Sequence, residues 1–325
     1  EQAIFKLSAE RDGYMRVGML MRLRGKPVEA AHVTAALEHL QARHPVLRCR
    51  AVLNGEAVVL EEGVGPIPVH VKEVAGGEDA ADEAWRDLWR DVELLRYKFG
   101  DPLAAVYVLP RRSGSDVLFV MEHAVCDGIS LSRVCPEFLR VLADVAAGVE
   151  VPPAVSKPME PCIEAASAHR PSLVSKLAGK LGLLRLAASR QTRVADHMPV
   201  DLEKPLPGHT SLNYASLTQR ETHALVNACR ARGLTVGAAL GAAQALSAAQ
   251  LIPTLGDTVD IALACAADTR RLYEPAMDAG GLGYHVSGVK PFSVPVPVSC
   301  PDVGTTAWDV AAKFKAVIDS TMSGG

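Results

Sequence analysis

The chain has 325 residues, 49% of them hydrophobic and 22% charged, with a formal net charge of −3 at pH 7, which suits two domains or one large one with a sizeable core and gives no electrostatic footprint for nucleic acid or an anionic membrane. Seven scattered cysteines, with no CxxC pair and no Cys/His cluster at ligand spacing, argue against a disulfide scaffold or a zinc site and point to a reducing cytoplasm. No apolar run reaches the roughly 18 residues of a spanning helix, and the start carries no signal-peptide pattern.

In chain order, Val33, Leu37 and Leu40 recur at helical spacing over residues 28–43, and His44-Pro45 ends the run because the residue before proline disfavours the helical region. Residues 46–53 and 56–61 flank Asn54-Gly55 and predict a hairpin, since that dipeptide accepts the positive dihedrals of a two-residue turn. Trp85, Leu88, Trp89, Val92 and Leu95 define one face of a second helix, with the two tryptophans in the core. Residues 103–109 and 117–121 predict two strands joined by a polar turn at 111–115, where Arg111 and Arg112 are read as solvating the turn rather than meeting a coenzyme A phosphate.

The second of these strands runs into His123, Asp127 and Gly128, an HxxxDG spacing that ends where Leu131, Val134, Phe138, Leu142 and Val145 begin another helical stripe. Pro136 is expected to kink that helix or confine it to its first turn. A histidine on a strand-to-helix loop is a candidate base, because an unperturbed imidazole is half-titrated near neutrality. Cys126 is read as a small packing residue, since a reactive thiolate needs an electropositive setting.

Residues 151–207 are rich in proline around a basic segment and read as an interdomain connection. Within it, residues 172–190 pattern as an amphipathic crossover helix covering the domain junction in preference to a membrane-surface helix. Thr218 to Glu221 is a capping-box pattern, Gly233 closes that helix, and Thr235 opens another whose Gly237, Ala238, Gly241 and Ala242 allow close packing. Residues 258–266 and 284–292 predict strands, with the charged turn Asp268-Thr269-Arg270-Arg271 between them, and residues 308–318 a last helix. The order of elements predicts an α/β protein of two similar halves: 1–150, the connection 151–207, and 208–325.

Four segments in order resemble the chloramphenicol-acetyltransferase-like superfamily of alcohol acyltransferases, plant-type BAHD acyltransferases and nonribosomal peptide condensation domains. They are LEHLQARHPVLRCR, GDPLAAVYVLP with VLFVMEHAVCDGISL, CRARGLTVGAALGAAQAL, and AADTRR with GLGYHVSG. The resemblance implies an α/β fold of two subdomains with the active site in the channel between them. The second subdomain is expected to be incomplete, because family members extend further at the C-terminus. Glu122 stands where many condensation domains have a second histidine.

The family's chemistry implies direct acyl transfer with His123 as general base and no acyl-enzyme. Asp127 is expected to point away from His123 and pair with Arg270, or with Arg271 beside it, fixing the loop's shape. Gly128 would supply a positive dihedral or room for substrate. The N–H of Gly128 and the hydroxyls of Ser130 and Ser132 are candidate oxyanion donors by position. His285 would line the junction without a direct chemical role. The resemblance implies no permanently bound cofactor, acyl-CoA as co-substrate or a phosphopantetheine thioester on a carrier protein in its place, and an alcohol or amine acceptor. Two other readings are a condensation domain and an inactive binding protein or fragment.

Overall fold

In the computed structural model, which describes residues 4–6, 9, 15–73, 78–93, 95–166, 215–251, 257–263, 265–273, 281–288, 292–297 and 302–322, a piece of the second half of the chain groups with the first. One compact unit comprises Glu1–Ala168, His209–Leu212 and Tyr273–His285; the other comprises His169–Gly208, Asn213–Leu272 and Val286–Gly325. The basic segment 172–190 and the connection from 167 to 207 lie outside the described residues.

The first unit runs β1 (Arg16–Arg24), α1 (Ala30–Arg43), β2 (Cys49–Asn54), β3 (Ala57–Glu62), β4 (Val69–Val71), α2 (Glu78–Glu93), β5 (Ala104–Arg111), β6 (Gly114–Glu122) and α3 (Gly128–Ala146). Its four-stranded sheet has the order β1-β6-β5-β4, with β4 parallel to β5 and the other pairs antiparallel. Every residue of β6 is buried, because the strand is covered on both faces. Val117, Phe119 and Met121 join the core formed with Val33, Leu37 and Leu40 of α1 and Leu131, Val134 and Phe138 of α3. Leu118 and Val120 point the other way, to Leu88 and Val92 of α2, as the period-2 alternation of a strand requires.

Four local expectations are corrected here. The β2–β3 loop is Gly55-Glu56, since Asn54 pairs with Ala57; Gly55 alone has a positive φ of 63°, the requirement of a hairpin turn with glycine at its first central position. Leu95 lies beyond the end of α2 and is exposed. Of the two tryptophans, Trp89 is half-buried over the sheet, where a Cβ on Gly18 would meet its ring at 2.5 Å, whereas Trp85 is half-buried beside Arg86. Pro136 does not confine α3 to its first turn, since the helix runs 19 residues through it. Pro136 and Ser132, four residues earlier, are both exposed, so the carbonyl that loses its partner is on a side open to water.

In the polar turn between β5 and β6, Arg111 is committed to the protein. Its Nη2 lies 3.1 Å from Asp116 and donates to the Leu23 carbonyl at 3.2 Å, while Arg22 grips the same buried carboxylate through Nε and Nη2 at 3.1 Å each. Asp116 faces Arg22 directly across β1 and β6.

The second unit contains α4 (Gln219–Ala231), α5 (Val236–Leu251), β7 (Thr258–Leu263), β8 (Ala266–Asp268), β9 (Val286–Gly288), β10 (Phe292–Pro297) and α6 (Val303–Met322). β7 pairs with β10 and β8 with β9, both antiparallel. The Thr218–Glu221 capping box opens α4 with both reciprocal bonds in place, and Thr235 Oγ1 accepts from the N–H of Ala238 at the start of α5. Small residues let α5 approach α6 closely: Ala238, Ala242 and Ala245 are buried with Phe314 and Val310, and a Cβ on Gly241 would lie 2.4 Å from the Phe314 ring. No single helix among the described residues is long and apolar enough to cross a membrane.

Candidate active site

β6 delivers the HxxxDG loop because its ladder is held to the last residue. Glu122 N–H donates to the Leu103 carbonyl on one side and His123 N–H to the Met15 carbonyl on the other, both at 2.9 Å. The chain then turns, with Val125 N–H donating to the Glu122 carbonyl at 3.2 Å, and α3 begins at Gly128 behind Asp127 as its N-cap.

His123 is half-buried, and its Nδ1 lies 2.8 Å from the Cys126 carbonyl. A carbonyl only accepts, so Nδ1 carries the proton and Nε2 is left with its lone pair. Tyr284 stands against the ring, with centroids 5.4 Å apart and planes at 78°. Cys126 is fully buried and its thiol is directed to the Asp127 carbonyl, in keeping with a packing role.

Asp127 is also fully buried, and it is not bonded to His123 in the triad manner. Its Oδ1 accepts the N–H of Ser130 at 2.8 Å, and its Oδ2 the N–H of His285 at 2.9 Å. The first bond is a helix cap and the second ties down the segment 281–285, whose Leu282 enters the core of the same unit. This is why residues 284 and 285 are not the strand the sequence predicts: the His285 N–H is taken by a carboxylate instead of a sheet ladder, and strand structure begins at Val286. Arg270 belongs to the second unit and is buried, with Nη1 2.9 Å from Asp268 Oδ1.

The remaining motif residues separate. Gly128 has no positive dihedral; it is the first residue of α3, is exposed, and a Cβ there would meet nothing within 4 Å, so of the two readings only room for substrate remains. The Ser130 hydroxyl donates to the Gly283 carbonyl at 2.9 Å and accepts the Gly283 N–H at 3.2 Å. Ser132 donates to the Ile129 carbonyl at 2.7 Å. Each hydroxyl proton thus has a backbone acceptor. Among the described residues, the N–H groups of Gly128 and Ile129 at the start of α3 have no such acceptor.

Two features escape the motif. Glu122 is buried and pairs with Arg16, Nε to Oε1 at 3.0 Å. A cavity of about 260 Å³, lined by Arg16, His70, Asp101, Tyr107 and Glu122 among others, opens beside that pair and does not include His123. The proximity of Tyr284 to His123 is not legible from the motif, because it is set by a fold-back across more than a hundred residues.

Residues 207–321 match the family model described as phthiocerol/phthiodiolone dimycocerosyl transferase C-terminus. No curated protein sequence matches the chain significantly. Among solved structures, the first condensation domain of the calcium-dependent antibiotic synthetase, in complex with a substrate analogue, superposes with a TM-score of 0.69 at 18% identity, covering 98% of this chain and 72% of that one. Polyketide synthase associated protein 5 from Mycobacterium tuberculosis gives 0.63 at 17%, covering 94% and 70%. The EpoB cyclization-docking bidomain from Sorangium cellulosum gives 0.65 at 14%, covering 98% and 62%. The chain therefore has the α/β fold of these condensation-domain and associated-protein structures over nearly its whole length, and its residues 207–321 match a transferase C-terminal family.

Proposed function

We propose that the protein transfers an acyl group from an acyl-CoA thioester to an alcohol, with an amine as the lesser acceptor, and that His123 is the general base. The observation that carries this reading is the bond from His123 Nδ1 to the Cys126 carbonyl, which leaves Nε2 as the basic nitrogen. Nε2 takes the acceptor's proton as its oxygen attacks the thioester carbonyl. The tetrahedral oxyanion then collapses, the carbon–sulfur bond breaks, and the imidazolium returns the proton to the departing thiolate. The N–H groups of Gly128 and Ile129, at the positive end of the α3 dipole, are the donors best placed in sequence to meet the oxyanion.

A carrier-protein thioester is the second donor, supported by the likeness to condensation domains. Glu122, held by Arg16 where many condensation domains have a second histidine, supports the free thioester. Incubation with acyl-CoA, or with an acyl-phosphopantetheine carrier, and a panel of alcohols and amines tests the proposal by free-thiol release. Replacement His123→Ala is expected to lower that release about 10²–10⁴-fold without loss of the thermal transition. Equal release by the two proteins would end the general-base reading.

A further inference from the structure

Tyr284 lies 161 positions beyond His123 in the chain, yet its ring stands edge-to-face against the imidazole with centroids 5.4 Å apart. Both chain neighbours of Tyr284 are fastened to the HxxxDG loop. Gly283 is held by the Ser130 hydroxyl through its N–H and its carbonyl, and the N–H of His285 is held by Asp127. The loop that carries the base therefore also grips the tripeptide that carries the ring. Asp127 and Ser130 are fully buried, so these bonds are sheltered from competition with water.

The imidazole needs such a restraint. Rotation about the second side-chain torsion of histidine is broad, and the bond from Nδ1 to the Cys126 carbonyl fixes one edge of the ring only. An aromatic ring at this distance and angle attracts the imidazole through its quadrupole and adds a second restraint on its rotation. We propose that Tyr284 is a positioning residue that holds His123 with Nε2 directed at the acceptor, and that the bonds of Asp127 and Ser130 to residues 283 and 285 serve this purpose. The ring, not the phenol, performs the task. This inference rests on the reading of His123 as the base.

The test compares Tyr284→Phe, which keeps the ring, with Tyr284→Leu and Tyr284→Met, which remove it. Two readouts are taken on the full chain: nitrogen-correlated NMR of the His123 ring, assigned by its absence in His123→Ala, and the kinetics of thiol release. Tyr284→Phe is expected to keep the Nδ1–H tautomer and the pH titration of His123, with kcat within about threefold. The leucine and methionine variants are expected to lose the single tautomer and to lower kcat about tenfold or more, with KM for the acyl donor changed less than about twofold. Ser130→Ala should give the same change in smaller measure, with Tyr284 still present. An unchanged His123 tautomer and titration in both ring-less variants would overturn the proposal. Thiol release insensitive to His123→Ala would instead refute the base, and the NMR comparison would still decide whether Tyr284 positions the ring.

Discussion

The Asp127 carboxylate accepts the backbone N–H of His285 at 2.9 Å across 158 residues of sequence, and with its other oxygen it caps the helix that follows it. One buried group thus joins the end of the motif to a segment from the far half of the chain, beside the residue proposed as the base. Conformational support for His123 and the start of α3 are consequences of the same two bonds.

Asp127→Ala removes a helix cap and leaves the buried His285 N–H without its acceptor. A stability loss of about 3 kcal/mol is expected from these two effects, together with a fall in transfer rate because residues 283–285 are released. Asp127→Asn keeps an acceptor oxygen for one of the bonds and should recover part of the stability. Denaturant unfolding beside thiol release measures both, and a wild-type midpoint in Asp127→Ala would refute the anchoring role.

Asp116 is fully buried and shared by Arg22 and Arg111, and Arg111 itself has a nearly buried side chain. Asp116→Ala is expected to cost about 3–5 kcal/mol, because it leaves a guanidinium inside without its counter-charge. Adding Arg111→Met should restore part of that loss by removing the stranded charge. Urea melts of the single and double variants decide, and no recovery in the double variant would count against the assignment.

His44 predicts a pH dependence. It is buried against Glu137, and burial lowers its pKa below the ordinary 6.5 more than Glu137 raises it. The unfolded chain then binds a proton at His44 more readily than the folded one. Stability from this group is complete above about pH 6.5 and falls as pH drops toward the lowered value, by at most about 1.4 kcal/mol per pH unit. His44→Gln should flatten that slope in unfolding curves taken between about pH 5 and pH 7.5; an unaltered slope would contradict the assignment.

Gly241→Ala tests the packing of α5 on α6. Its new methyl would lie 2.4 Å from the buried Phe314 ring, so a loss of about 1–3 kcal/mol from overpacking is expected despite the better helix propensity of alanine. Phe314→Leu in the same chain should relieve the clash, as read by thermal melting.

Much of this protein is local information. The spacing of Val33, Leu37 and Leu40 marks α1, and the capping box at Thr218 marks the start of α4. The apolar run ending at His123 and the small residues around Gly241 are equally open to reading, because each rests on the backbone and side chains of one short segment. For the same reason HxxxDG singles out His123 as a candidate. Where the sequence misleads, the cause is a partner outside the window: Pro136 sits in a helix side open to water, Gly55 rather than Asn54 begins the hairpin turn because the register closes one residue later, and residues 284–285 leave the strand because Asp127 takes a backbone donor.

The sequence by itself therefore determined the α/β fold class, the main helices, the strands leading to His123 and the candidate base, but not β1 or β4 of the main sheet. Only the tertiary structure decided how that base is held. It places Tyr284 beside the His123 ring, commits the Ser130 hydroxyl to Gly283, and turns Asp127 into a clamp on His285. These are directional contacts between segments far apart in the chain, and their geometry exists only once the core has brought the segments together.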